Sequence, residues 1–245
     1  MDTITLQVVV VSFVATLIRS ALGFGEALIA VPLLALCMPI KVAAPLAMLM
    51  SATVAGIIVA QDWRKVHVRS AAGLVVSALF GIPLGLLMLK FVNDHTVKII
   101  LGIIIAGFSI YSLTAKTKLH LEKDHTLWLL GSGFCSGILG GAYGMNGPPL
   151  VVYGSLRRWS PQHFRATLQG YFLPTSLAGL IGYMAIGLWV PAITRYFLIS
   201  LPGIFVAVVL GRILNHRLRG DGFFRYVYAM LMLISGILLF QAFSS

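Results

Sequence analysis

The chain has 245 residues, of which 59% are hydrophobic and only 10% are charged, and its mean hydropathy is +0.96. Soluble domains contain roughly 45–50% apolar and about 25% charged residues, so this composition excludes an ordinary soluble domain. The net charge of +11 would suit a nucleic-acid-binding protein, but most of it lies in short loops between apolar runs, as expected for the cytoplasmic loops of a membrane protein. We therefore predict an integral membrane protein that binds no nucleic acid.

Ten apolar segments follow one another along the chain. Their length and continuity favour helices over the strands of a transmembrane barrel, which are alternating segments of about ten residues. We therefore predict an all-α, polytopic helical bundle. No basic residue precedes the first segment, which is interpreted as a retained membrane helix and not as a cleaved signal peptide. The predicted segments are 4–18, 27–38, 42–60, 70–89, 96–115, 126–139, 150–156, 166–186, 190–211 and 223–243.

Two interruptions divide the apolar runs. The first covers residues 19–32 and brings Arg19, two glycines and Glu26 into an apolar stretch. The second covers residues 140–149 and is rich in glycine and proline. Charged side chains and non-helical backbone are tolerated inside a bilayer only where protein or a water-filled cavity satisfies them. Both interruptions are therefore predicted to form the tips of helical hairpins inside the membrane.

The distribution of basic residues supports this topology. If each interrupted pair enters and leaves on one side while every other segment crosses once, most of the 18 Lys and Arg residues fall on one side. The positive-inside rule assigns that side to the cytoplasm and the N-terminus to the periplasm. Two short full crossings per pair would give the same distribution, so both arrangements stay open. The basic stretches on the predicted cytoplasmic side are 64–69, 116–123, 157–165 and 212–225.

The two interruptions also indicate an internal repeat. Gly23 and Gly144 open similar sequences 121 residues apart, close to half of the chain. We predict a first membrane repeat at 1–115, a cytoplasmic linker at 116–125 and a second membrane repeat at 126–245. Each repeat has one interrupted pair and three crossings, so the second enters the membrane with inverted orientation. Inverted repeats with discontinuous helices are a transporter architecture whose substrate site lies near the midplane.

Arg19 and Glu26 are the charged residues of the first interruption. A guanidinium group stays ionised and presents a planar fork of donors that suits carboxylate, sulfonate or phosphate oxygens. We predict Arg19 as the anion contact, with pairing to Glu26 or a place at the membrane interface as structural alternatives. An apolar environment favours the neutral form of a carboxyl group, so Glu26 is a candidate for proton coupling. Its alternatives are a counter-ion for Arg19 or a partner for a helix N-terminus.

The other predicted substrate-binding residues lie in the interruptions and in the helix that follows the second one. Glycines free backbone N–H groups there, and helices that begin near Glu26 and Pro148 direct their positive dipole ends inward, where they attract anions. An amide side chain can donate to the anion, and aromatic rings can wall the cavity. Packing and helix–helix hydrogen bonding are the structural alternatives. The predicted set is Arg19, Ser20, Gly23, Phe24, Gly25, Tyr143, Gly144, Asn146, Gly147 and Gln169.

The sequence contains no pattern for an enzyme, a metal site or a cofactor site. It has no phosphate-binding loop and no dinucleotide-binding motif. The six histidines lie in or beside predicted loops and lack metal-ligand spacing. No aspartate or histidine lies deep in an apolar segment, as an intramembrane protease would need. We therefore expect no catalytic activity, no metal and no cofactor.

Three short motifs resemble those of the sulfite exporter TauE/SafE family. They are Gly-Phe-Gly at 23–25 running into Ala-Val-Pro-Leu at 30–33, the glycine-rich stretch at 137–144, and Asp-Trp-Arg at 62–64. The resemblance covers nearly the whole chain. It departs from the family pattern at Glu26, where members usually have a small residue. It also departs at 146–149, where Asn-Gly-Pro-Pro replaces a glycine-rich run before proline.

This resemblance implies a bacterial inner-membrane permease for sulfite, for sulfonates such as sulfoacetate or taurine, and for related sulfur anions. Together with the predicted midplane site, it predicts a secondary transporter that moves a small sulfur-containing anion by alternating access. The implied partners are the anion, the lipid bilayer and protons as a candidate coupling ion. The alternatives are a passive anion channel with the same pore and a membrane-embedded assembly factor without flux of its own.

Overall fold

The computed structural model describes residues 2–62, 68–114, 126–157, 161–217, 231–237 and 239–240. The described residues form helices joined by short turns and contain no strand, which confirms the predicted all-α fold class. Residues 231–237 and 239–240 are also helical, and Leu239 packs on Gly102. The longer elements are α1 Thr3–Leu22, α2 Glu26–Ala35, α3 Ile40–Asp62, α4 Val68–Phe91, α5 Asp94–Thr114, α6 Thr126–Tyr143, α7 Pro148–Leu156, α8 Pro161–Ala185 and α9 Pro191–Arg217.

Five of these helices are long and apolar enough to cross a bilayer, which makes the chain a multi-pass membrane protein. They agree with the predicted segments 4–18, 42–60, 70–89, 96–115 and 190–211. The predicted linker, the loop motif at 62–64 beyond Asp62, and most of the last predicted segment fall outside the described residues. The candidate spans are Thr3–Ala21, Ile40–Gln61, Ala71–Phe91, Asp94–Thr114 and Pro191–Leu214.

The first interruption is shorter than predicted. Helix α1 continues through Arg19 to Leu22, and its last turn closes with a hydrogen bond of 2.6 Å from the Gly23 amide to the Arg19 carbonyl. Helix α2 then begins at Glu26, where the sequence predicted a helix start. The intervening residues 23–25, named the first break, turn the chain with Gly23 at φ 90° and Gly25 at φ 98°, a conformation open mainly to glycine.

The second interruption is also shorter than its predicted range of 140–149. Helix α6 continues through Gly140 and Gly141 to Tyr143, and α7 begins at the predicted Pro148. Glycine lowers helix propensity by about 1 kcal/mol, but here packing decides: a Cβ atom on Gly141 would collide with the Ile82 carbonyl of α4. The remaining residues 144–147 form the second break, in which Gly144 has φ 67°.

Close glycine contacts join the helices in two matching pairs. Helix α4 packs along α6, and α9 packs along α1. A Cβ atom on Gly85 of α4 would collide with the Ile138 carbonyl and lie 2.6 Å from the Ala142 nitrogen. This contact confirms the packing role expected for small residues spaced four apart in membrane helices.

The second pair repeats the first at equivalent positions. A Cβ atom on Gly211 of α9 would lie 2.8 Å from the Leu17 carbonyl oxygen and 3.1 Å from the Ala21 nitrogen of α1. The spacing from Leu17 to Ile138, and from Ala21 to Ala142, is the same 121 residues that separates Gly23 from Gly144. Residues at the same spacing thus make similar contacts in the two pairs; the repeat and the inverted orientation of its halves stay predictions.

The close approach of α4 and α6 gives a test with an internal control. Gly85→Ala adds a methyl group against backbone atoms of α6, and overpacking of this kind costs about 1–3 kcal/mol. We expect a lower thermal unfolding midpoint of the detergent-solubilised protein.

Gly131→Ala is the matched control, because Gly131 is exposed on α6 and no atom lies within 4 Å of its built Cβ. It should leave the midpoint unchanged or raise it slightly through helix propensity. Equal midpoints for the two variants would contradict the glycine-mediated contact.

Candidate functional site

The two breaks meet at a small cavity. The cavity has a volume of about 20 Å³. By the same measure, one water molecule needs roughly 10–15 Å³. Ser51 on the cavity wall lies at the middle of α3, and Phe172 lies near the middle of α8. The cavity is lined by Arg19, Phe24, Gly25, Glu26, Ala27, Leu28, Ser51, Gly144, Met145, Asn146, Gly147, Pro148 and Phe172.

Arg19 is the basic residue on the cavity wall and is only 2% exposed. Its Nη1 atom donates to Glu26 Oε2 at 2.5 Å, to Ser51 Oγ at 2.7 Å and to the Ser51 carbonyl at 3.2 Å. The guanidinium carbon lies 5.0 Å from the centre of the Phe172 ring, a cation–π distance. A single nitrogen therefore carries all the hydrogen bonds that the Arg19 side chain makes to the described residues.

The other edge of the Arg19 guanidinium has no hydrogen-bond partner among the described residues. Both Nε and Nη2 are buried and unpaired. A buried donor left unpaired costs about 1–3 kcal/mol, and more when it is charged. These two atoms form the side-on edge that binds two oxygens of one carboxylate, sulfonate or phosphate group. The arrangement therefore suits an oxyanion beside Arg19.

Glu26 is 1% exposed and occupies the first turn of α2. Its Oε2 atom accepts from Arg19, and its Oε1 atom accepts from Thr16 Oγ1 at 2.8 Å. A carboxylate at this position also interacts favourably with the helix dipole. The structural alternative of a counter-ion for Arg19 is thus present in the structure.

The N-terminus of α2 borders the cavity and has backbone amides without helical partners. Its first intrahelical hydrogen bond runs from the Ile29 amide to the Gly25 carbonyl, and no side chain caps the helix. The amides of Ala27 and Leu28, which line the cavity, therefore lie outside the helical hydrogen-bond ladder. The start of α7 differs, since Pro148 and Pro149 have no N–H group. The start of α2 therefore offers more backbone N–H donors than the start of α7.

A buried polar network holds the second break in place. The Asn146 carbonyl accepts a short hydrogen bond from Ser136 Oγ, which in turn accepts from Tyr171 OH at 2.8 Å. The side-chain nitrogen of Asn146 donates to Thr175 Oγ1 at 3.3 Å. Its Oδ1 atom lies against Gly140, where a Cβ atom would collide with it. Asn146 therefore lines the cavity with its donor group already engaged.

Seven of the predicted site residues line the cavity, and four others lie outside its lining. Gln169 donates to the Gly23 carbonyl at 3.2 Å and so ties α8 to the first break. Tyr143 donates to the Val97 carbonyl on α5 at 3.0 Å. Ser20 lies on the side of α1 that faces Gly211. The predicted residues at the cavity are Arg19, Phe24, Gly25, Glu26, Gly144, Asn146 and Gly147.

Sequence reasoning missed Ser51 and Phe172. Both lie in uninterrupted apolar helices, where a serine or a phenylalanine is ordinary, so no local signal marks them. Only the tertiary arrangement of α3 and α8 brings them to Arg19. Within the described ranges, no group of three His, Cys, Asp or Glu residues is placed to hold a metal ion.

These observations define a polytopic helical membrane protein with a charged, buried site between two interrupted helical segments. The family model described as sulfite exporter TauE/SafE matches residues 8–239. The chain therefore belongs to this family, as its motifs predicted, and membership implies a membrane transporter for sulfite or related sulfur anions. No curated protein and no solved structure matches the chain.

The buried ion pair gives a test that needs no knowledge of the substrate. Arg19→Met strands the Glu26 carboxylate, and breaking a buried pair costs about 3–5 kcal/mol. We expect a loss of that size in the free energy of unfolding, measured by denaturant titration in mixed micelles.

The double variant Arg19→Met with Glu26→Gln removes both charges, so it should recover most of the loss. A double-mutant cycle then isolates the pair's coupling energy. If the losses in unfolding free energy of the two single variants simply added up in the double variant, the coupling energy would be zero. That result would contradict the buried ion pair.

Proposed function

We propose that the protein is a secondary transporter of a small sulfur oxyanion, such as sulfite, sulfoacetate or taurine. The anion binds in the cavity between the two breaks and passes the membrane by alternating access. The observation that carries this proposal is the free Nε and Nη2 edge of Arg19, buried beside a cavity at mid-length of two long helices. Helix α3 contains a candidate membrane span of 22 residues, which matches the hydrocarbon thickness, so the position of Ser51 at its mid-length corresponds to mid-membrane.

The residues around Arg19 suit an oxyanion in complementary ways. The guanidinium edge donates hydrogen bonds to two oxygens of the anion. The Ala27 and Leu28 amides at the start of α2 donate to a third oxygen. Gly144, Asn146 and Gly147 form the opposite wall, where Gly147 has open space around it. Gln169 acts indirectly, because it holds the Gly23 carbonyl and so positions the first break.

The size of the cavity favours alternating access over a permanently open pore. The cavity has room for about one water molecule, so an oxyanion of several non-hydrogen atoms fits only when the walls separate. Residues from both halves of the chain form those walls: Arg19 and Ser51 from the first half, Asn146 and Phe172 from the second. Relative movement of the two halves would therefore open and close the site.

The proposal includes a location and an orientation. We place the protein in the bacterial inner membrane with its N-terminus in the periplasm and its two halves inverted. The basic stretches of the sequence support this orientation through the positive-inside rule.

Reconstitution into liposomes tests the transport proposal. Wild-type protein should take up radiolabelled sulfite or sulfonate above empty vesicles, and external substrate should be exchanged for internal substrate. Arg19→Met should lower uptake at least about tenfold, because a hydrogen bond to a charged group contributes roughly 1.5–3 kcal/mol. Arg19→Lys should recover part of the uptake, since lysine keeps the charge without the planar fork.

Arg195→Met is the matched control, because Arg195 is 64% exposed and pairs with Asp2 at 3.9 Å, so uptake should be unchanged. Uptake without stimulation by internal substrate would identify a channel. Uptake equal to that of empty vesicles, from folded protein, would favour the assembly-factor alternative and overturn the transport proposal.

A further inference from the structure

We propose that the cavity binds a monovalent oxyanion together with one proton, and that the proton is carried by Glu26. This inference rests on the proposed function and deepens it. It restricts the substrate to a singly charged species, such as hydrogen sulfite or a sulfonate without a second acidic group, and so excludes the dianion sulfoacetate from the substrates named above. It also makes transport a co-transport of anion and proton.

The charges on the cavity wall balance before any anion enters. Arg19 and Glu26 form an ion pair, and the other lining residues are uncharged. A bound monoanion would therefore leave one net negative charge in a buried site, and a dianion would leave two. Uncompensated charge in such a site costs several kcal/mol. A second anion near a carboxylate favours its protonated form, and protonation of Glu26 restores neutrality for a monoanion but not for a dianion.

The geometry allows the anion and Glu26 to be held at the same time. Glu26 and Ser51 occupy only Nη1 of Arg19, and the Nε and Nη2 edge is unpaired. Glu26 therefore does not have to leave when an oxyanion binds. The Thr16 hydroxyl donates to Glu26 Oε1, and because a hydroxyl group can also accept, it can accept from a protonated Oε1. The protonated acid thus keeps both of its partners.

No other described charged group contacts Glu26. The charged side chains on the helices packed against α2 lie elsewhere: Asp94 accepts from the Ile40 amide at the start of α3 and pairs with Lys98 at 3.3 Å. Asp94 therefore lies beyond the C-terminal end of α2. The ten residues of α2 place that end about 15 Å from Glu26. The described ionisable groups on these neighbours are Asp2, Arg19, Cys37, Lys41, Asp94, His95, Lys98 and Tyr111.

Methanesulfonate is the probe of choice, because it stays a monoanion across the whole pH range of the experiment, whereas sulfite itself changes charge. Binding to detergent-purified protein is followed by calorimetry in buffers of different ionisation enthalpy. At pH values where free Glu26 is ionised, we expect one proton taken up per anion and an affinity that rises about tenfold per unit fall in pH. Sulfate, a dianion, should bind at least about tenfold more weakly.

Glu26→Gln should still bind methanesulfonate but take up no proton, and its affinity should not change with pH. Thr16→Val is a milder second variant that leaves Glu26 in place. It removes the hydroxyl that bonds Glu26 Oε1 in either protonation state, so one proton should still be taken up per anion. Ser12→Ala, one turn away on α1, and His95→Gln, at the exposed start of α5, should leave both proton uptake and the pH midpoint of binding unchanged.

The outcomes separate the two proposals. If wild-type protein binds methanesulfonate through Arg19 without proton uptake, or if Glu26→Gln keeps the pH dependence, the proton-linked inference is overturned and the transport proposal stands. If sulfate binds as tightly as methanesulfonate, the restriction to a monoanion fails. If neither anion binds and neither is transported, the proposed function fails and this inference fails with it.

Discussion

The ion pair between Arg19 and Glu26 is the interaction on which the site depends. It joins the last turn of α1 to the first turn of α2 across the first break, and Thr16 and Ser51 complete its hydrogen bonds. Either charge alone in a buried site would be destabilising, so the pair favours the arrangement in which the two helix ends meet. Because it uses one nitrogen of the guanidinium, it leaves an edge free for an oxyanion. The same residue therefore serves stability and binding.

Helix packing explains why this site is enclosed. Glycine contacts hold α4 against α6 and α9 against α1, so each half contributes a helix to the other half's interrupted pair. Helices α3 and α8 contact each other between these pairs and place Ser51 and Phe172 on the cavity wall. The proposed opening of the cavity would shift α8 relative to the first break, because Gln169 and Phe172 both contact residues of α1 or the first break. The proposed movement is therefore located between α8 and the first break.

The sequence was sufficient to predict the helical class, the starts of α2 and α7, and a meeting of the two interruptions, because charge and glycine inside an apolar run are costly in lipid. It placed both interruptions too broadly, since tertiary packing keeps Arg19, Gly140 and Gly141 helical. It could not identify Ser51 or Phe172, whose roles arise only from contacts between distant helices. The orientation of Tyr143 toward α5 is likewise a matter of packing that no local pattern encodes.

The central claim is that an oxyanion binds the free edge of Arg19 between the two breaks. Selenite has the shape of sulfite and carries an anomalous scatterer, so diffraction at the selenium edge from crystals grown with selenite tests the claim directly. The account predicts one selenium site in the cavity, with oxygens within hydrogen-bond distance of Arg19 Nε and Nη2. A selenium site elsewhere, with the cavity unchanged and Arg19 out of contact, would contradict it.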